Sequence, residues 1–298
     1  MRVYPKQRGV SLLELIIVIV LLGVLTSGAG LLITKPIQAY TDQLRRQQLV
    51  DQAEMALRQI ARDIRRALPN SLRIEPNPVT GGWALEMTNT IDGARYRDEQ
   101  GGAFTTAADT LDFSSADTDF NLLGNFDTLI AKEGQRLAIY NTEADNFYNN
   151  VIAVGGAGVV TPSTSEITLT FNGIEQHINI NPGFQFSQQS PGQRIFLIDG
   201  PISYICDPSV GQTNMVRYSN YAFQSTQPTT AATFAALTSP PTPAFLSGDV
   251  VTKASTCDIV YDSGSAKRGG IITISLTLAD PTGESITLLH QVHVLNAP

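Results

Sequence analysis

The stretch RGVSLLELIIVIVLLGVL, residues 8–25, carries one carboxylate, Glu14, in a run that is otherwise apolar. An ionisable side chain at the centre of a bilayer costs roughly 2.5 to 3.5 kcal/mol on insertion scales, so such a residue is kept for a partner or a function. The chemistry it offers is neutralisation of a cation. The alternative is a carboxylate near the edge of the run that snorkels to the headgroups. Cys206 and Cys257 are the only cysteines and fall outside any C-x-x-C spacing, which excludes a zinc ribbon or a thioredoxin-type redox site. A single Cys206–Cys257 disulfide, made in an oxidising compartment, is expected in preference to two buried thiols, and it would close a loop worth about 4 kcal/mol on the chain-entropy estimate.

The remaining candidates for chemistry are weaker. Gly155-Gly156-Ala157-Gly158 departs from the dinucleotide fingerprint, with Thr161 where the last glycine belongs, and reads as a turn. His290 and His293 lie three apart on a predicted strand, so they point to opposite faces and do not share a metal. Asp258, Asp262 and Ser263 could offer oxygens to calcium, but not at EF-hand spacing. There is no G-x-S-x-G elbow, H-E-x-x-H pair or Walker loop. The expectation is no cofactor, no metal and no enzyme activity.

The elements that must position these residues change character along the chain. From Val10 to Ile33 the only charge is Glu14, and a helix of that length covers about 36 Å, enough to span a hydrocarbon layer. Arg2, Lys6 and Arg8 precede it without an acid, which leaves the amino end in the cytoplasm and the rest outside. A cleaved secretory signal fits less well, because the apolar run is long and no small-x-small site precedes a clear mature start. After Pro36 an amphipathic helix is predicted, with Ile37, Leu44, Leu57, Ile60, Ala61, Ile64 and Leu68 on one face and most of its arginines on the other, stopped by Pro69-Asn70-Ser71. Gly23, Gly28, Gly30 and Pro36 predict local melting between the two helical parts.

Beyond Leu72 the pattern is of short strands between Gly, Pro, Asn, Ser and Thr. Thr110–Phe113, Arg136–Tyr140, Glu166–Phe171, Arg194–Ile198 and a hairpin of Ile271–Leu278 with Ser285–Leu295 are predicted strands. Residues 225–248 read as a long surface loop, and Trp83 as core. The predicted organisation is a basic leader (1–9), a transmembrane helix (10–34), an amphipathic helix (35–69) and a β-rich globular domain (70–298). Charge follows it: of the net −7, the leader carries +3, Glu14 −1 and residues 35–73 +4, which leaves −13 on the body. So acidic a body argues against nucleic acid as a partner; the basic helix face reads either as a solvated face or as a surface for an acidic neighbour.

Gly9-Val10-Ser11-Leu12-Leu13-Glu14-Leu15, after a short basic leader and before an apolar helix, resembles the signal of type IV pilins and type II secretion pseudopilins. The resemblance implies an α+β fold of the type IV pilin kind, a long N-terminal helix packed on an antiparallel sheet. It implies cleavage by a prepilin peptidase between Gly9 and Val10, N-methylation of Val10, and Glu14 as the fifth residue of the mature chain, pairing with the amino terminus of a neighbouring subunit. Valine replaces the usual phenylalanine at the first mature position. Asp63–Ser71, Ser190–Arg194, Pro201–Asp207 and His290–Val294 further resemble the MshO minor pilins of the mannose-sensitive haemagglutinin (MSHA) pilus. The implied partners are the prepilin peptidase, other major and minor pilins and the inner-membrane assembly platform. The implied location is the bacterial inner membrane, with the C-terminal domain periplasmic, and then the pilus fibre. A J-type minor pseudopilin of a secretion system, or a periplasmic enzyme or binding domain on an uncleaved anchor, are the competing readings.

Overall fold

The structure is a computed structural model that describes residues 9–77, 81–99, 110–127, 134–153, 156–171, 173, 175–206, 215–237, 242–245, 256–264, 269–280 and 283–294, with backbone alone for 29–33 and 242–245. The basic leader, residues 1–8, lies outside this set. The chain divides into two compact units, residues 1–49 and 50–298.

In the first unit the described residues form the start of α1, a helix of 54 residues from Leu12 to Arg65. The expected melting is not observed: α1 runs unbroken through Gly23, Gly28, Gly30 and Pro36. A glycine costs a helix about 1 kcal/mol and an interior proline about 3 kcal/mol, which the long runs of good helix formers on both sides offset. Thr26 donates its hydroxyl to the Leu22 carbonyl (2.7 Å) and Ser27 to the Val24 carbonyl (2.8 Å). These bonds within the helix leave neither hydroxyl in need of water. Among the described residues no helix is long and apolar enough to cross a membrane.

The second unit begins with the rest of α1. Ala53, Ala56, Leu57, Ile60, Ala61 and Ile64 are buried at spacings of three and four, the stripe that a helix lays on a core. Ile37 and Leu44, expected on the same face, are exposed. The helix also ends at Arg65, before Pro69. Residues 66–68 leave it to pair with strand β2 (Trp83–Tyr96): Leu68 donates its N–H to the Thr88 carbonyl (2.8 Å), and Arg66 accepts from Thr90 N–H (3.0 Å). The pairing of β2 with β7 (Arg194–Cys206) shifts register on either side of Thr90, a β-irregularity at the place where the post-helix segment docks.

Two antiparallel sheets complete the unit. In the larger, β5 (Glu166–Phe171), β6 (Gln176–Phe184), β3 (Asp117–Leu123), β2, β7, β8 (Met215–Ser219) and β9 (Thr242–Phe245) follow in that order; β1 (Arg73–Pro76) pairs with β2 and β4 (Arg136–Ile139) with β7. The smaller is β10 (Cys257–Asp262), β11 (Gly270–Ala279) and β12 (Ser285–Val294). The α+β class is therefore observed, and the hairpin of β11 with β12 buries Ile272, Ile274, Leu276 and Leu278 in alternation with Thr and Ser. Two other expectations are corrected. Thr110–Phe113 is no strand, because the Asp112 carboxylate accepts from the Ser114 N–H and from both Ser114 and Ser115 hydroxyls, which curls the segment into a turn. Within 225–248 stand a helix, α3 (Ala231–Ala235), and β9; Thr230 caps α3 through a reciprocal bond pair with Thr233, and Phe234 anchors it in the core. Trp83 is buried, and Cys206 and Cys257 are joined by a disulfide closing a separation of 51 residues.

Candidate functional site

Gly9, Val10 and Ser11 precede α1 without helical structure, and the Ser11 carbonyl accepts the N–H of Leu15. Glu14 lies in the first turn of α1, where a negative charge is favoured by the partial positive charge of the unpaired N–H groups. Among the described residues it has no ion pair or hydrogen-bond partner. Every large apolar side chain from Val10 to Leu25 is exposed, none by less than 48%. A helix apolar on all sides is at home in lipid or inside a bundle of helices. A Cβ built at Gly9 would meet nothing within 4 Å, so the fold itself makes no demand for glycine there.

A second lone carboxylate in an apolar run was not foreseen. Glu86, in the stretch Trp83-Ala84-Leu85-Glu86-Met87, is fully buried, and the signal that singled out Glu14 was equally present. Its partner is in the chain. Arg73, its cross-strand neighbour on β1, donates Nε to Glu86 Oε2 at 2.6 Å, and Tyr221 donates its hydroxyl to Oε1 at 2.7 Å. Since the Tyr221 proton is committed to Glu86, the Ser203 hydroxyl at 2.6 Å donates to Tyr221. Arg73 spends its other donors on the carbonyls of Ser225 (2.7 Å) and Gln224 (2.8 Å), and its guanidinium lies 3.6 Å from the centre of the Tyr148 ring. Burial pushes the Glu86 carboxyl above the usual carboxylate range; the Arg73 charge and the hydrogen bonds from Tyr221 and Arg73 oppose that rise without cancelling it. A similar cluster ties α1 to the sheet: Arg217 Nε donates to Asp63 Oδ2 at 2.8 Å, and the Tyr204 hydroxyl donates to the same oxygen.

The other candidates are dispersed. Asp258 and Asp262 are both exposed on β10, and Asp262 accepts the Gly264 N–H at 2.9 Å. His293 is exposed and His290 half-buried, on opposite faces of β12. Among the described residues no group of three His, Cys, Asp or Glu side chains could hold a metal ion. Gly155 lies outside the described residues; Gly158 makes a parallel bridge with Phe186 and has Asn150 Oδ1 where a Cβ would stand, so this glycine serves close packing.

Residues 4–30 match the family described as the prokaryotic N-terminal methylation motif, a prepilin signal of the type IV pilin-like class. No curated protein and no solved structure matches the chain. The matched motif implies processing by a prepilin peptidase and assembly with other pilins or pseudopilins.

The Arg73–Glu86 pair yields a stability test. Arg73→Met leaves a carboxylate buried without its cation, a loss of about 3 to 5 kcal/mol, or roughly 10 °C in the melting temperature of a unit this size. Arg73→Met/Glu86→Gln recovers at least about half of that loss. Lowering the pH from 7 toward 5 narrows the gap between Arg73→Met and wild type, because the folded variant binds a proton that the unfolded chain, with an ordinary carboxyl, does not. Thermal melts of the full chain in detergent decide the matter; a double variant no more stable than the single one contradicts the pairing.

Proposed function

We propose that this chain is a minor pilin of the MshO type. It enters the inner membrane as a single span with its amino end cytoplasmic, is cut between Gly9 and Val10 by a prepilin peptidase, is N-methylated on Val10, and joins or initiates a type IV fibre. In this reading it is an assembly component and not a catalyst; its chemistry is to be processed by another enzyme. The observation that carries it is the methylation motif at residues 4–30 running into a helix whose apolar side chains are exposed on every side. The open space around Gly9 supports the cleavage site, since a glycine that the fold does not need is explained by the narrow cleft of a protease. The MshO assignment rests on the finer resemblance of Asp63–Ser71, Ser190–Arg194, Pro201–Asp207 and His290–Val294.

Glu14 then has its cation. The amino group of Val10, freed by cleavage and still charged after methylation, is presented by a neighbouring subunit when the apolar helices pack side by side. A buried pair of this kind contributes little net stability, but removing one member leaves an uncompensated charge, so the pair specifies register.

Two variants test the reading. Gly9→Val retains the leader, and the longer precursor accumulates on an immunoblot of membranes; trimming at the wild-type rate contradicts the cleavage site. Glu14→Gln inserts, is cut and folds its second unit, yet co-purification with partner pilins falls at least about tenfold, because the amide cannot neutralise the neighbour's ammonium. Wild-type yield of the complex, with the substitution verified by mass, returns Glu14 to a carboxylate that only snorkels.

A further inference from the structure

The smaller sheet ends on a strand whose outer edge is open. β12 pairs with β11 on one side, and among the described residues no strand pairs with its other side. The direction of each backbone group follows from the bond that closes the hairpin. Asp280 donates its N–H to the Glu284 carbonyl (2.9 Å), and hydrogen-bonded and non-hydrogen-bonded pairs alternate along the ladder from there. Ile286, Leu288, His290 and Val292 therefore exchange backbone bonds with β11, whereas Thr287, Leu289, Gln291 and His293 turn their N–H and C=O groups to the open edge.

Open edges are ordinarily blunted by charge, proline or a bulge. β12 has none of these: Ser285–Val294 contains no Asp, Glu, Lys, Arg or Pro, and its register with β11 runs without a shift. The opposite edge strand, β10, does carry charge, in the exposed Asp258 and Asp262. The side chains of β12 are short of neighbours as well. On the core face Ile274 and Leu276 of β11 are buried, yet His290 and Leu288, directly across from them, are only half-buried. On the outer face Leu289 is 64% exposed.

We propose that β12 pairs antiparallel with β12 of a second copy of this chain, about a two-fold axis that sets the two His290 residues face to face. In this register the outward residues meet along the whole strand, Leu289 with Gln291 and Thr287 with His293, and form about eight backbone hydrogen bonds. On the core face Leu288 meets Val292 and Ile286 meets Val294, so apolar faces apolar. On the outer face the two Leu289 side chains come to diagonal positions within reach of each other. A strand without acid, lysine or arginine meets no repulsion in its own copy and offers a charged partner strand no counter-charge. The contact is isologous and closes after two chains. It uses neither the apolar helix nor the cleavage motif, and so stands apart from the processing proposed above.

Disulfide trapping on the full chain in detergent tests the proposal. His290→Cys puts two thiols at a non-hydrogen-bonded pair, whose Cα atoms stand ~4.5 Å apart, within the ~4.4–6.8 Å that a disulfide spans. Oxidation with copper–phenanthroline then gives a dimer on a non-reducing gel, and mass spectrometry finds the bridge between the two introduced cysteines. Leu288→Cys, half-buried on the same face, lies about 14 Å along the strand from its mate and links at least about tenfold less, as does Thr273→Cys on the middle strand. Leu289→Lys changes an exposed side chain and leaves the melting temperature unchanged, yet it sets two like charges on the diagonal and lowers His290→Cys trapping at least about tenfold. Sedimentation without any introduced cysteine gives a second readout: the wild-type chain is dimeric and Leu289→Lys is monomeric. No dimer from His290→Cys, equal trapping at Leu288 or Thr273, a bridge to a different protein in place of the copy, or the same sedimentation for wild type and Leu289→Lys each overturns the proposal.

Discussion

A helix that presents leucine, isoleucine and valine on every face cannot remain in water. Each such side chain is worth about 1.5 to 3 kcal/mol when withdrawn from solvent, and from Val10 to Leu25 all of them are exposed. Nothing described in the first unit covers them, so their burial falls to lipid or to other helices. That constraint organises the chain. The apolar start of α1 belongs to surroundings outside the protein, whereas the stripe from Ala53 to Ile64 belongs to the core of the second unit. One continuous helix serves both, and the point at which its residues change from apolar all round to apolar on one side marks the change of environment.

The two lone carboxylates express the same division. Glu86 and Glu14 both interrupt apolar runs. Glu86 is neutralised within the chain, by Arg73 across the β1–β2 ladder and by Tyr221, and the surrounding shell of carbonyls and the Tyr148 ring leaves the guanidinium fully engaged. Glu14 has no such partner among the described residues. The intermolecular pairing proposed for Glu14 would give it the counter-charge that Glu86 finds within the chain. Asp63, held by Arg217 and Tyr204, does for the helix end what Glu86 does for the sheet: it makes one docking position better than its neighbours.

The elements legible in the sequence were those with a strict period or a strong local signal. Alternation in Ile271–Leu278 marked a strand to within a residue of β11, and spacings of three and four marked the buried stripe of α1 from Leu57 to Ile64. What escaped depended on contacts distant in the chain. Residues 66–68 leave the helix before Pro69 because β2 offers them a ladder partner, which no local rule reveals. Thr110–Phe113 has the composition of a strand, but the Asp112 side chain outcompetes the ladder. The capped helix α3 was hidden in a stretch rich in Thr, Ala and Pro, where Thr230 and Thr233 were a capping pair read as loop. Of the candidate site, the methylation motif at residues 4–30 was legible because it is contiguous; the Arg73–Glu86–Tyr221 cluster was not, because its members lie up to 148 residues apart in the numbering.

The central claim is that the apolar helix begins its mature life at Val10 with a modified amino group. Mass spectrometry of the amino-terminal peptide, taken from membranes of cells making the wild-type chain, measures this directly. The account predicts a peptide that starts at Val10 and is heavier by one methyl group, about 14 Da, with that mass on the α-amino nitrogen. An amino terminus at Met1, or one created by a cut among Ser27, Gly28, Ala29 and Gly30, would contradict it.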